Sequence, residues 1–175
     1  MRTTPRQLAP RQPVASQGGT PSRMSGAMAS ILILVGTESG NAQMVADALQ
    51  PVLKTAGHAV AVSDKAAGAA DFLGNDVLLV ICATHGSGDI PTNILPLAET
   101  LERDKPDLSG HRYGIIALGD MTYQDTFCGA GKKLDDIFAA CGAVRIGERL
   151  EVDASEQPLP DEEALTWLEG WKALV

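Results

Sequence analysis

Three short stretches of the chain combine polar side chains with glycine in a way that could hold a ligand. The first is Gly36-Thr37-Glu38-Ser39-Gly40-Asn41-Ala42, directly after the apolar run at residues 31–35. Its hydroxyls and amide supply donors, and Gly40 allows close backbone approach. A helix starting there would add unpaired N–H groups and the positive end of its dipole, and such a combination binds an anion, phosphate above all. The pattern is neither GxxxxGK[ST] nor GxGxxG, and it holds no lysine to reach a nucleoside triphosphate. Taken alone, it is also what an ordinary helix start requires, with Ser39 or Asn41 as the cap.

The second stretch is Ala83-Thr84-His85-Gly86-Ser87-Gly88-Asp89-Ile90-Pro91, after the apolar run at 77–82. Two glycines one residue apart make a tight turn that can present backbone groups to a planar ring, with His85 overlying it. The third is Leu118-Gly119-Asp120-Met121-Thr122-Tyr123-Gln124-Asp125-Thr126-Phe127-Cys128. Tyr123 is one of only two tyrosines in the chain, and at the end of an apolar run it is placed to stack on an aromatic ligand. A polar loop histidine or a surface tyrosine is common by itself. One phosphate loop and two ring-flanking loops together describe a site for a mononucleotide with a large ring, and flavin mononucleotide (FMN) fits.

These loops can share a site only if the scaffold brings them to one edge. Apolar runs at 31–35, 77–82 and 113–118 read as strands buried on both faces. Shorter strands are expected at 58–63 and at 144–152, the latter with a break at Gly147. A helix follows the first loop, with Val45, Leu49, Val52, Leu53 and Ala56 inward and Gly57 as its stop, and Pro51 should kink or break it. Further helices are expected at 94–102, 127–140 and 161–174, the last anchored by Leu165, Trp167, Leu168 and Trp171. Strands alternating with helices make an α/β, doubly wound, five-stranded parallel sheet with helices on both faces, whose ligands lie at the carboxyl ends of the strands. Residues 1–29, rich in Pro, Gly, Ser and Gln, read as a disordered N-terminal extension, and residues 30–175 as the ligand-binding domain.

The chain has 175 residues, 14 Lys plus Arg, 22 Asp plus Glu and a net charge of −8. Residues 1–30 hold Arg2, Arg6, Arg11 and Arg23 and no acid, so the remainder carries −12. So acidic a domain is a poor nucleic-acid binder and a good one for a basic protein surface. No apolar run approaches the roughly 20 residues that span a bilayer, so no membrane role is expected. Three cysteines without a CxxC pair exclude a disulfide scaffold and suit a reducing, cytoplasmic setting. No metal-ligand spacing is present. Nothing demands more than a monomer.

The motifs Thr37-Glu38-Ser39-Gly40-Asn41-Ala42, Thr84-His85-Gly86-Ser87-Gly88-Asp89-Ile90-Pro91 and Leu118-Gly119-Asp120 with Tyr123, Phe127 and Cys128 resemble those of the flavodoxin family over residues 30–175. Within it the likeness is to small free-standing FMN-binding members, and the FMN domains of sulfite reductase and cytochrome P450 reductase are also similar. The resemblance implies the flavodoxin-like sheet order 2-1-3-4-5 with FMN at its carboxyl edge. Thr37, Glu38, Ser39, Gly40, Asn41 and Ala42 would then hold the phosphate. Thr84, His85, Gly86, Gly88 and Asp89 would flank the inner ring face, Leu118, Gly119 and Asp120 the ring edge, and Tyr123 the outer face. Asp153 would approach the same region. His85 departs from the family, since many relatives place Tyr or Trp there.

No catalytic base, nucleophile or metal cluster stands out. The expected function is therefore an electron shuttle, taking electrons from a reductase and passing them to an acceptor protein, both docking on the acidic FMN face. The alternatives are an FMN-dependent oxidoreductase acting on a small molecule such as a quinone, and a flavin-free interaction module. A phosphoacceptor module is excluded, because Gly36-Thr37 and Ala83-Thr84 stand where its aspartates would be.

Overall fold

The computed structural model describes residues 28–175. The expected extension at 1–29 therefore lies outside the described residues, except for its last two. Of these, Ala29 is already buried, and its carbonyl accepts from Ala59 N–H.

The elements follow in the order β1 (Ser30–Gly36), α1 (Asn41–Thr55), β2 (Ala59–Ser63), β3 (Val77–Ala83), α2 (Leu95–Asp104), β4 (Arg112–Gly119), α3 (Gly129–Ala140), β5 (Val144–Arg145), β6 (Leu150–Asp153) and α4 (Pro160–Trp171). Two 3-10 segments, Ala69–Asp71 and Met121–Thr126, lie between them. Every strand pair is parallel and the order is β2-β1-β3-β4-β5, with β6 also on β4. The parallel sheet inferred from the apolar runs is present, in the order that the family resemblance implied.

Alternate residues along the central strands feed two separate cores, as the two-residue strand period requires. Ile31, Ile33, Val35, Leu79 and Ile81 pack with Val45, Leu49 and Leu53 of α1 and Leu168 and Trp171 of α4. Leu32, Leu34, Leu78, Val80 and Ile115 pack on the opposite face with Leu97 and Leu101 of α2 and Leu134 and Phe138 of α3. Helices α1 and α4 therefore share one face, and α2 and α3 the other.

Two local expectations change. Helix α1 runs through Pro51 without a break. The bond Pro51 cannot make would go to the Asp47 carbonyl, and both residues lie on the solvent side, where water takes the donor's place. The last strand position is filled by two pieces, β5 beside Arg112 and Tyr113 and β6 beside Ile116–Gly119. Gly147, at φ 73°, makes the break. The indole N–H groups of Trp171 and Trp167 hold the turn by donating to Ile146 O (2.9 Å) and Glu148 O (3.0 Å). Below it, the buried Asp135 carboxylate accepts from Tyr113 Oη at 2.7 Å, from the Arg145 guanidinium and from Arg149 Nη1 at 2.5 Å. This network ties α3 to β4 and to both ends of the break, and no sequence motif announces it.

Candidate functional site

The loops after β1, β3 and β4 meet at the carboxyl edge of the sheet around a cavity of about 720 Å³. In the first loop much of the polar inventory is spent on the loop itself. Thr37 Oγ1 accepts from Gly40 N–H at 2.8 Å, and Thr37 N–H donates to Asn93 Oδ1 at 3.1 Å. Asn93 in turn donates to Val35 O (2.7 Å) and Asp64 O (2.8 Å). The Glu38 carboxylate accepts from the backbone N–H of Thr92 at 2.7 Å and from its hydroxyl at 2.8 Å. Those bonds, the backbone one first, hold its pKa below the ordinary carboxylate value, and the nearby His85 adds to the effect. Glu38 is thus a brace between the first loop and the α2 approach. Ser39 and Asn41 are left facing the cavity. Helix α1 starts there with no side-chain cap and no acid in its first turn, so its first-turn N–H groups and dipole remain available.

The second loop is closed by a reciprocal pair of bonds, His85 N–H to Asp89 O at 3.0 Å and Asp89 N–H to His85 O at 2.7 Å. Gly88 takes φ 87° and is buried, and a Cβ there would lie 3.3 Å from Thr126 Cβ. The loop is therefore packed against the third one. Thr84 joins them as well, donating its N–H to Leu118 O and accepting from Ala130 N–H on its hydroxyl. His85 is exposed, and the Asp89 carboxylate lies 3.8 Å from Lys133 Nζ.

The third loop folds tightly over the start of α3. A Cβ on Gly119 would lie 2.6 Å from the backbone N of Cys128, so only glycine fits. Asp120 accepts from Thr122 N–H at 2.8 Å. Asp153, at the end of β6, accepts from Met121 N–H (2.9 Å) and from both the N–H and hydroxyl of Ser155. These bonds, the Met121 one first, hold its carboxyl below the usual range. Tyr123 stands at the cavity edge with 67% of its surface exposed.

Of the residues expected at the site, Ser39, Asn41, Thr84, Gly86, Leu118, Gly119, Asp120 and Tyr123 line the cavity. Thr37, Glu38, Gly40, Ala42, His85, Gly88, Asp89 and Phe127 build the loops around it. Cys128 lies beneath the floor, fully buried, with its thiol on Ala117 O and its pKa pushed up to about 12 by burial. Met44, Thr126, Val152, Ala154, Gln157, Pro158 and Pro160 also line the cavity and were not foreseen. Val152, Ala154, Gln157 and Pro158 belong to β6 and the turn after it, and Pro160 opens α4; the carboxyl-end rule reaches them if it is applied to the last strand as well.

Among the described residues no lysine or arginine lines the cavity. The donors are neutral, the α1 terminus is uncapped, an aromatic ring stands free at the edge, and Leu118, Val152 and Pro158 give apolar walls. That set suits a ligand with an anionic end and a flat ring.

The family model for flavodoxin matches residues 33–167. The chain belongs to the flavodoxin family. It is 38% identical over 154 residues to protein MioC of Escherichia coli (strain K12), covering 85% of this chain and 99% of that one. It is 34% identical over 167 residues to the sulfite reductase [NADPH] flavoprotein alpha-component of Vibrio parahaemolyticus, covering 89% of this chain and 26% of that larger protein. Among solved structures, a cysteine-to-serine mutant of the flavodoxin from Pseudomonas aeruginosa superposes with a TM-score of 0.75 at 33% identity, covering 83% of this chain and 98% of the other. These flavodoxin relatives bear out the family read from the three loops.

Proposed function

We propose that this flavodoxin is an FMN-binding electron-transfer protein that carries electrons from a reductase to an acceptor protein. The observation that carries the reading is the convergence of three loops on one cavity, with an uncapped helix start at one side and a free tyrosine ring at the other. When bound, FMN supplies the redox chemistry by taking up and releasing electrons at its ring. The chain's own residues bind and orient it. Ser39, Asn41 and the first-turn N–H groups of α1 would receive the phosphate. Tyr123 would cover the outer ring face, and Thr84, Gly86 and the backbone at Leu118 and Gly119 would border the ring. Asp120 would set a negative charge at the ring edge, which would disfavour adding negative charge to the ring.

Tyr123 over one face favours protein partners over a small-molecule acceptor such as a quinone, which needs an open face. The acidic surface suits basic docking surfaces on the reductase and acceptor.

The test is the visible absorption spectrum of purified protein after addition of FMN and desalting. A flavin spectrum that stays with the protein, followed by one-electron steps on reductive titration, is the expected result. Loss of all flavin on desalting, with no FMN binding by calorimetry, overturns the reading in favour of a flavin-free interaction module.

A further inference from the structure

The turn between β6 and α4 enters the cavity, and one of its side chains is held in a single orientation. Gln157 lines the cavity beside Pro158. Its backbone N–H donates to Asp153 O at 2.7 Å, and its side-chain Oε1 accepts from Asp153 N–H at 3.0 Å. A backbone N–H can only donate, so the amide oxygen must face Asp153 and the NH2 group must be the opposite end. Among the described residues that NH2 group has no acceptor.

The geometry points to Gln157 as a cofactor-contacting residue whose NH2 group donates to the ribityl-phosphate chain of bound FMN. This rests on the FMN reading above. Gln157 leads into α4, which shares a sheet face with α1, and the cavity residues Ser39, Asn41 and Met44 come from the start of α1. The turn is also tied to the third loop through the Asp153–Met121 bond. Gln157 therefore shares one cavity with the phosphate-side helix start (Ser39, Asn41) and the ring-side loop (Asp120, Tyr123), the two ends that an acceptor-rich ribityl-phosphate chain would join. Among the described residues no lysine or arginine lines the cavity, so a neutral amide donor there meets no cationic competitor from them for that chain.

The full chain carrying Gln157→Glu and Gln157→Leu tests this by calorimetric FMN titration, with the visible spectrum of the bound flavin recorded at saturation. Glu keeps an oxygen for Asp153 N–H and replaces the NH2 group by a second carboxylate oxygen, so the turn stays intact while the donor is lost. The expected result is an FMN Kd raised severalfold by Leu, which removes the donor, and about tenfold or more by Glu, which also sets a carboxylate against the anionic chain. The apo melting temperature of Gln157→Glu should match the unsubstituted protein, and the spectrum of its bound flavin should be unchanged, because the contact is to the chain rather than the ring. An FMN Kd within twofold of the unsubstituted value overturns the inference, as does a loss accompanied by an altered ring spectrum. Failure of the unsubstituted protein to bind FMN overturns the proposed function itself, so the two failures are distinct.

Discussion

Tyr123 holds a ring two-thirds exposed, in a backbone conformation (φ −105°, ψ 67°) that interrupts the 3-10 turn around it. A ring held so openly contributes little to the apo fold and stays free to stack on a ligand. Replacing it by alanine should raise the FMN Kd roughly three- to tenfold, since aromatic stacking contributes about 0.5–1.5 kcal/mol beyond area, while leaving the apo melting temperature in place. Glu38 gives a pH signature. Its folded pKa lies below the ordinary value of 4.5, so the Thr92 brace is at full strength above that pH and is lost as pH falls through the folded value. FMN affinity should decline on acidification below about pH 4.5, and Glu38→Gln should flatten that decline, measured by titration at stepped pH. At the ring edge, Asp120→Asn should raise the lower of the two one-electron potentials by roughly 30 mV, the size of one charge about 6 Å away in water. An unchanged potential in spectroelectrochemistry would remove Asp120 from that role.

At the scale of elements, the split last strand depends on Asp135. Replacing it by alanine leaves Arg145 and Arg149 without their shared carboxylate and Tyr113 without its acceptor. A loss of about 3 kcal/mol is expected, the low end for breaking a buried pair because the arginines are partly exposed. Chemical denaturation measures it. The central strands were legible because continuous runs such as residues 77–82 have one physical explanation, burial on both faces. The three loops that meet at the cavity were legible because each follows such a strand. Gln157 and Pro158 were not, because they sit in a turn of ordinary composition and join the site only through the placement of β6. The Asp135 network was hidden for a related reason: Tyr113, Asp135, Arg145 and Arg149 come from separate elements, and no local period links them. Pro51 misled because its cost depends on which side of the helix it faces.

At the scale of the whole molecule, the −12 carried by residues 31–175 sets the terms of association. Exposed charge attracts over about 8–10 Å at physiological ionic strength and is screened beyond. Turnover with a reductase should therefore fall as salt rises, through slower association, and salt-independent turnover would count against docking on this face. Among the described residues no helix is long and apolar enough to cross a membrane.

The chain's two tryptophans, Trp167 and Trp171, stack at 5.4 Å between ring centroids on the outer half of the helix whose first turn opens on the cavity. At 1.5 Å per residue they lie about 10–17 Å along the axis from Pro160. Both intrinsic emitters thus occupy one spot at a short, fixed distance from the cavity. Their fluorescence reads two events: quenching by energy transfer when a yellow chromophore enters the cavity, and a red shift when the corner around Gly147 opens to water.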